Sequence, residues 1–130
     1  MKINLLFVGI VLLLASCDPV RGIEFMNKTD SIAEVIITLD TSSVYYQQEQ
    51  FEMEMVNNDS IVITLEANET KRFYLGMGNW SKEELKLFGR SMKKLDIVTK
   101  ENTTAYDSLE SIYELLNNSE TKGRVLIEIE

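Results

Sequence analysis

The chain has 130 residues, 13 basic and 21 acidic, for a net charge of −8, with no histidine and a single cysteine. That length supports one domain with its own core, and the acidic balance repels phosphate backbones, which excludes nucleic acid as a partner. Without histidine the chain lacks the commonest general base and the commonest transition-metal ligand, and one cysteine permits no internal disulfide.

Lys2 is followed by an almost unbroken apolar run from Ile3 to Leu14, then by Ala15-Ser16-Cys17. The run is about a dozen residues, whereas a membrane-spanning helix needs roughly 20. A basic start, a short apolar segment and small residues make a secretory signal peptide. With cysteine at the cleavage point, the segment resembles the signal of bacterial lipoproteins. The resemblance implies removal of residues 1–16 and lipidation of Cys17 as the new first residue. Loss of that segment removes one basic residue and no acidic one, for a mature net charge near −9. An acylated Cys17 also leaves no thiol for catalysis or metal binding. Residues 17–22 form a short tether, and five residues beyond the cysteine reach less than about 18 Å. A domain over 23–130 would therefore stay near the bilayer, held by lipid and not by a basic patch.

Gly22–Met26 alternates and reads as a strand, ended by turn chemistry in Asn27-Lys28-Thr29-Asp30. Ala33–Leu39 is short and β-branched, a second strand, and the two suggest an antiparallel hairpin. Asp40–Gln50 is polar, a loop or a ragged strand. Phe51–Val56 alternates apolar with acidic, as a half-buried strand does. After the Asn57-Asn58-Asp59 turn, Ser60–Leu65 is a strand; after Ala67-Asn68-Glu69, Thr70–Leu75 is another. Ser81-Lys82-Glu83-Glu84 spells a capping box for a helix that runs to about Phe88 and ends at Gly89. Lys93–Thr99 reads as a strand. Thr104 is expected to cap a longer helix with a stripe at Ala105, Leu109, Ile112, Tyr113 and Leu116, ended by Asn117-Asn118. Gly123–Glu130 is a last strand with Val125, Ile127 and Ile129 on one face. About seven short strands with two late helices predict a mostly β, sandwich-like antiparallel domain; an α+β mixed sheet is the alternative.

Trp80, with Tyr74, Met77 and Phe88 close in sequence, is either an exposed ligand platform or the apolar residue stapled ahead of the Ser81 cap. Tyr45 and Tyr46, leading Gln47-Gln48, are either a partner contact or an ordinary loop. Glu52, Glu54 and Asp59 could bind calcium or act as an acid–base pair, or form a solvated face. Asn27, Asn68, Asn79, Asn102 and Asn117 each begin an Asn-x-Ser/Thr triplet, read here as turn and cap chemistry. No residue set calls for a cofactor or a metal.

Asp30-Ser31-Ile32, Asp59-Ser60-Ile61 and Asp107-Ser108-Leu109 share a pattern of Asp, hydroxyl residue and aliphatic. It resembles the acceptor motif of the general O-glycosylation system of Bacteroidota envelope proteins, which makes Ser31, Ser60 and Ser108 candidate acceptors. Ser108, expected inside the longer helix, is the poorest of them. The Asn27-Lys28-Thr29 turn, Trp80 and the Tyr106-Asp107-Ser108-Leu109 segment are similar to small Bacteroidota envelope lipoproteins, a group that brings no catalytic residues with it. The chain is expected to be an outer-membrane lipoprotein on the periplasmic face, non-enzymatic, binding a protein or glycan partner through a sheet edge or the Tyr45–Gln50 loop. One alternative is an acidic inhibitor or immunity protein against a cationic hydrolase or toxin; another is a hydrolase using carboxylates alone.

Overall fold

A computed structural model describes residues 19–42, 55–57 and 59–130. Cys17, Tyr45, Tyr46, Glu52 and Glu54 lie outside the described residues. The strands are β1 (Val20–Asn27), β2 (Ala33–Leu39), β3 (Met55–Asn57), β4 (Ser60–Leu65), β5 (Thr70–Met77), β6 (Met92–Val98), β7 (Thr103–Tyr106), β8 (Glu120–Thr121) and β9 (Arg124–Ile129). The helices are α1 (Lys82–Arg90) and α2 (Leu109–Ser119).

They form a four-stranded sheet in the order β5-β1-β9-β8 and a five-stranded sheet in the order β3-β4-β2-β6-β7. The larger sheet is antiparallel throughout, while in the smaller one β1 runs parallel to β9. The domain is mostly β and sandwich-like with two late helices, as the sequence predicts.

Period-2 alternation gives each sheet an inner face. Ile23 and Phe25 of β1 and Val125, Ile127 and Ile129 of β9 are buried. From the larger sheet, Val35 and Ile37, Ile61 and Ile63, and Leu95 and Ile97 join the same core. At Thr38/Leu39 the β2–β6 register slips by one residue, which lets Met92 point inward although an even spacing from Leu95 would turn it out. Helix α2 touches both β9 and β6, so it bridges the two sheets, with α1 packed on it. A Cβ on Gly89 would lie 3.6 Å from Ile112 and Leu116, so the helices cross at a residue with no side chain.

Three expectations are corrected. β1 and β2 are not a hairpin: β1 pairs with β5 and β9, β2 with β4 and β6, and residues 28–32 carry the chain from one sheet to the other. The side chain of Asn27 makes that crossing possible. Its Nδ2 donates to the carbonyls of Ser31 (2.7 Å), Glu66 (3.0 Å) and Leu65 (3.2 Å), and its Oδ1 accepts from Thr29 N (3.0 Å) and Oγ1 (2.8 Å). Gly89 lies within α1, which continues to Arg90. Thr104 does not cap a helix either. Residues 103–106 form β7, because β-branched Thr103 and Thr104 extend along the edge of β6, and α2 begins only after Ser108.

Candidate functional site

The outer face of the four-stranded sheet carries a charged concavity. On β1 the outward residues are Val20, Gly22, Glu24 and Met26, because Ile23 and Phe25 point to the core. Register sets Arg72 of β5 beside Glu24, and Tyr74 of β5 and Arg124 of β9 beside Gly22. The hollow above them is about 260 Å³, lined by Pro19, Val20, Gly22, Glu24, Arg72, Tyr74, Lys122 and Arg124.

Glu24 is only 4% exposed although it sits on an outer face, a position that requires hydrogen-bonded partners for its charge. Arg72 supplies them in a fork: Nε to Oε1 at 2.7 Å and Nη2 to Oε2 at 3.2 Å. Arg124 Nη1 adds a third bond to Oε1 at 3.3 Å. The hydrogen bond to Glu24, and then one to Tyr74, raises Arg72 above its ordinary pKa. Lys122 has no hydrogen bond or ion pair among the described residues. It occupies the tight β8–β9 turn with φ 49°, followed by Gly123 at φ 85°, the positive pair that a two-residue hairpin loop needs. Three cations against one carboxylate leave this hollow positive in an acidic chain.

Gly22 is the floor. A Cβ there would stand 2.7 Å from the backbone carbonyl of Phe73, so no larger residue fits beneath Arg72 and Tyr74. A bulge shapes the upper rim: Gly22 pairs with Tyr74 but Arg21 with Gly76, so one residue of β5 is skipped. Met77 consequently faces out beside Val20. Val20, Tyr74 and Met77 are 45%, 62% and 64% exposed, an apolar rim on a cationic hollow.

Trp80 is not part of this surface. It is 9% exposed, with its ring 5.4 Å from Phe88 and its Nε1 donating to the Gly22 carbonyl at 3.4 Å. The exposed-platform expectation is therefore corrected: the capping box forms, and the indole just ahead of it packs into the core. Arg21 covers the indole at 5.1 Å and bonds Glu84 at 2.8 Å, which joins β1 to α1.

Among the described residues no group of three or more His, Cys, Asp or Glu could hold a metal. A second hollow gathers Asp30, Glu101, Glu130 and Lys100 at the Asn27 end of β1. Ser31 lies half-buried in the 28–32 crossing, Ser60 opens β4 with its hydroxyl donating to Asp59 Oδ1 at 3.1 Å, and Ser108 is the exposed N-cap of α2, not a mid-helix residue.

Glu24, Arg72, Lys122 and Arg124 are not singled out by the sequence. The only local signal is charge on the outward positions of alternating strands. Contact between residues 24 and 124 depends on the parallel β1–β9 pairing, which no short motif encodes. Compared with known proteins, the chain matches no family model, no curated protein and no solved structure.

Proposed function

We propose that this chain is a lipid-anchored protein of the bacterial envelope, attached through Cys17 on the periplasmic face of the outer membrane, with a non-enzymatic role in binding a protein or glycan partner. The observation that carries this reading is the spacing of Cys17 from the fold. β1 starts at Val20, three residues after Cys17, and the Pro19 carbonyl already accepts from Gly78 N at 2.7 Å. A chain built to sit at a membrane needs no more tether than that. No helix among the described residues is long and apolar enough to cross a membrane. β5 and β7 lie at the sheet edges, where an extended partner strand could add. Ser31, Ser60 and Ser108 are proposed O-glycan acceptors, with exposed Ser108 the most accessible.

Affinity capture of the full chain from detergent-solubilised envelopes tests the role. One reproducible partner lost on β5 edge substitution supports it; no reproducible partner counts against it. The second reading, an inhibitor of a cationic hydrolase or toxin, rests on the acidic hollow at the end of β1 opposite Val20. It requires the protein to slow a cationic wall hydrolase at low salt, with the effect fading as salt rises.

A further inference from the structure

The cationic hollow, the apolar rim and Pro19, two residues after Cys17 in the sequence, lie at one end of one sheet. Pro19 and Val20 line the hollow themselves, so a chain lipidated at Cys17 brings Arg72, Lys122 and Arg124 to the lipid surface with it. Phosphate suits this chemistry. Arg124 and Arg72 present guanidinium donors beyond those spent on Glu24, and Lys122 adds an uncommitted ammonium. Exposed Val20, Tyr74 and Met77 are side chains that settle among headgroups, tyrosine above all. The far end of the same face is acidic, with Glu128 and Glu130 only partly offset by Lys28. Charge therefore favours one end of the sheet at an anionic membrane and repels the other.

We propose that the Val20 end of the four-stranded sheet docks on the membrane that holds the anchor, with Arg72, Lys122 and Arg124 over an anionic lipid phosphate and Val20, Tyr74 and Met77 among the headgroups. The proposal rests on the lipid-anchor reading, and it revises the expectation that lipid alone makes the membrane bond. Docking fixes the orientation of the domain and turns the acidic hollow near Lys100, about 23 Å away along β1, toward solvent.

The test uses the full chain, processed in bacteria, purified in detergent and reconstituted into vesicles of phosphatidylcholine alone or mixed with phosphatidylglycerol. Thr121→Cys, next to the hollow, carries a polarity-sensitive thiol dye, and Lys100→Cys carries it at the far end. The dye at 121 should shift to the blue with phosphatidylglycerol, while the dye at 100 stays unchanged. Lys122→Gln and Arg124→Gln should each lower the docked-to-undocked ratio about fivefold. Arg124→Gln leaves the Arg72 fork on Glu24 in place, and Lys122→Gln disturbs no bond among the described residues, so loss of folding cannot mimic both. Equal spectra in the two lipids, or no response to either substitution, overturns docking. The same shift produced by inorganic phosphate without vesicles also overturns it, because the hollow is then a free-anion site. Flotation in high salt separates the two claims: a chain that leaves the vesicles has no anchor, and one that floats without lipid-dependent spectra is anchored but not docked.

Discussion

Asn27→Ala should be among the most damaging single substitutions in this domain. The side chain is fully buried and ties together the two crossings between the sheets, residues 28–32 and the turn after β4. Removing it strips the donor from three carbonyls. That of Leu65 is buried and cannot be rehydrated, a loss of about 1–3 kcal/mol. Those of Ser31 and Glu66 are part-buried, and each loses about 0.5–1 kcal/mol. The sum, about 3 kcal/mol, is a large share of the 5–15 kcal/mol typical of a domain. With a urea slope of about 1.5 kcal/mol/M, the midpoint should fall by about 2 M at unchanged slope. Asn27→Asp should be at least as harmful at pH 7, because it points a carboxylate at three carbonyl oxygens, and it should recover as acid protonates that group. Urea denaturation of both variants across pH checks this. A midpoint shift under about 0.5 M for Asn27→Ala, or a neutral Asn27→Asp at pH 7, would refute the claim that this side chain holds the crossings.

Gly89→Ala should stabilise the domain by about 0.5–1 kcal/mol in thermal unfolding, since alanine is the better helix former and its Cβ would meet Ile112, Leu116 and Leu109 at ordinary contact distances of 3.6–3.8 Å. Gly22→Ala should do the opposite, by about 2 kcal/mol, because its Cβ collides with the Phe73 carbonyl; equal stability would show that β1 and β5 can part there. Ser81→Ala removes the cap of α1 and should cost about 1 kcal/mol at pH 7, read from chemical denaturation. Glu84 is held below its ordinary pKa first by the Ser81 backbone N–H, then by the Ser81 hydroxyl and Arg21. A lowered carboxylate pKa stabilises the fold above the unfolded value and loses that effect as pH falls through the folded one. Stability should therefore drop as pH falls below about 4.5, and Glu84→Gln should flatten the drop.

What the sequence reveals follows local chemistry. β2 and β4 are bounded as their β-branched runs predict, and the Ser81 capping box forms because hydroxyl and carboxylate three apart need only one another. The inward face of β9, with Val125, Ile127 and Ile129 buried, follows from simple periodicity. What the sequence hides depends on distant partners. Asn27-Lys28-Thr29-Asp30 looks like a hairpin turn, and only the distant Leu65 and Glu66 carbonyls that Asn27 also reaches turn it into a crossing between sheets. Thr103–Tyr106 suits either a strand or the start of a helix, and the free edge of β6 decides it. The cationic hollow is the extreme case, since Glu24 and Arg124 are 100 residues apart and meet only through a parallel strand pair.

Intact-mass analysis of the N-terminal peptide of the membrane-extracted protein reads directly whether Cys17 is the lipid anchor. The mature chain should begin at Cys17, carrying a thioether-linked diacylglycerol and an acylated amine, and a Cys17→Ser variant should be neither lipidated nor processed. A protein that retains residues 1–16, or that begins elsewhere with an unmodified thiol at Cys17, would show that Cys17 carries no anchor.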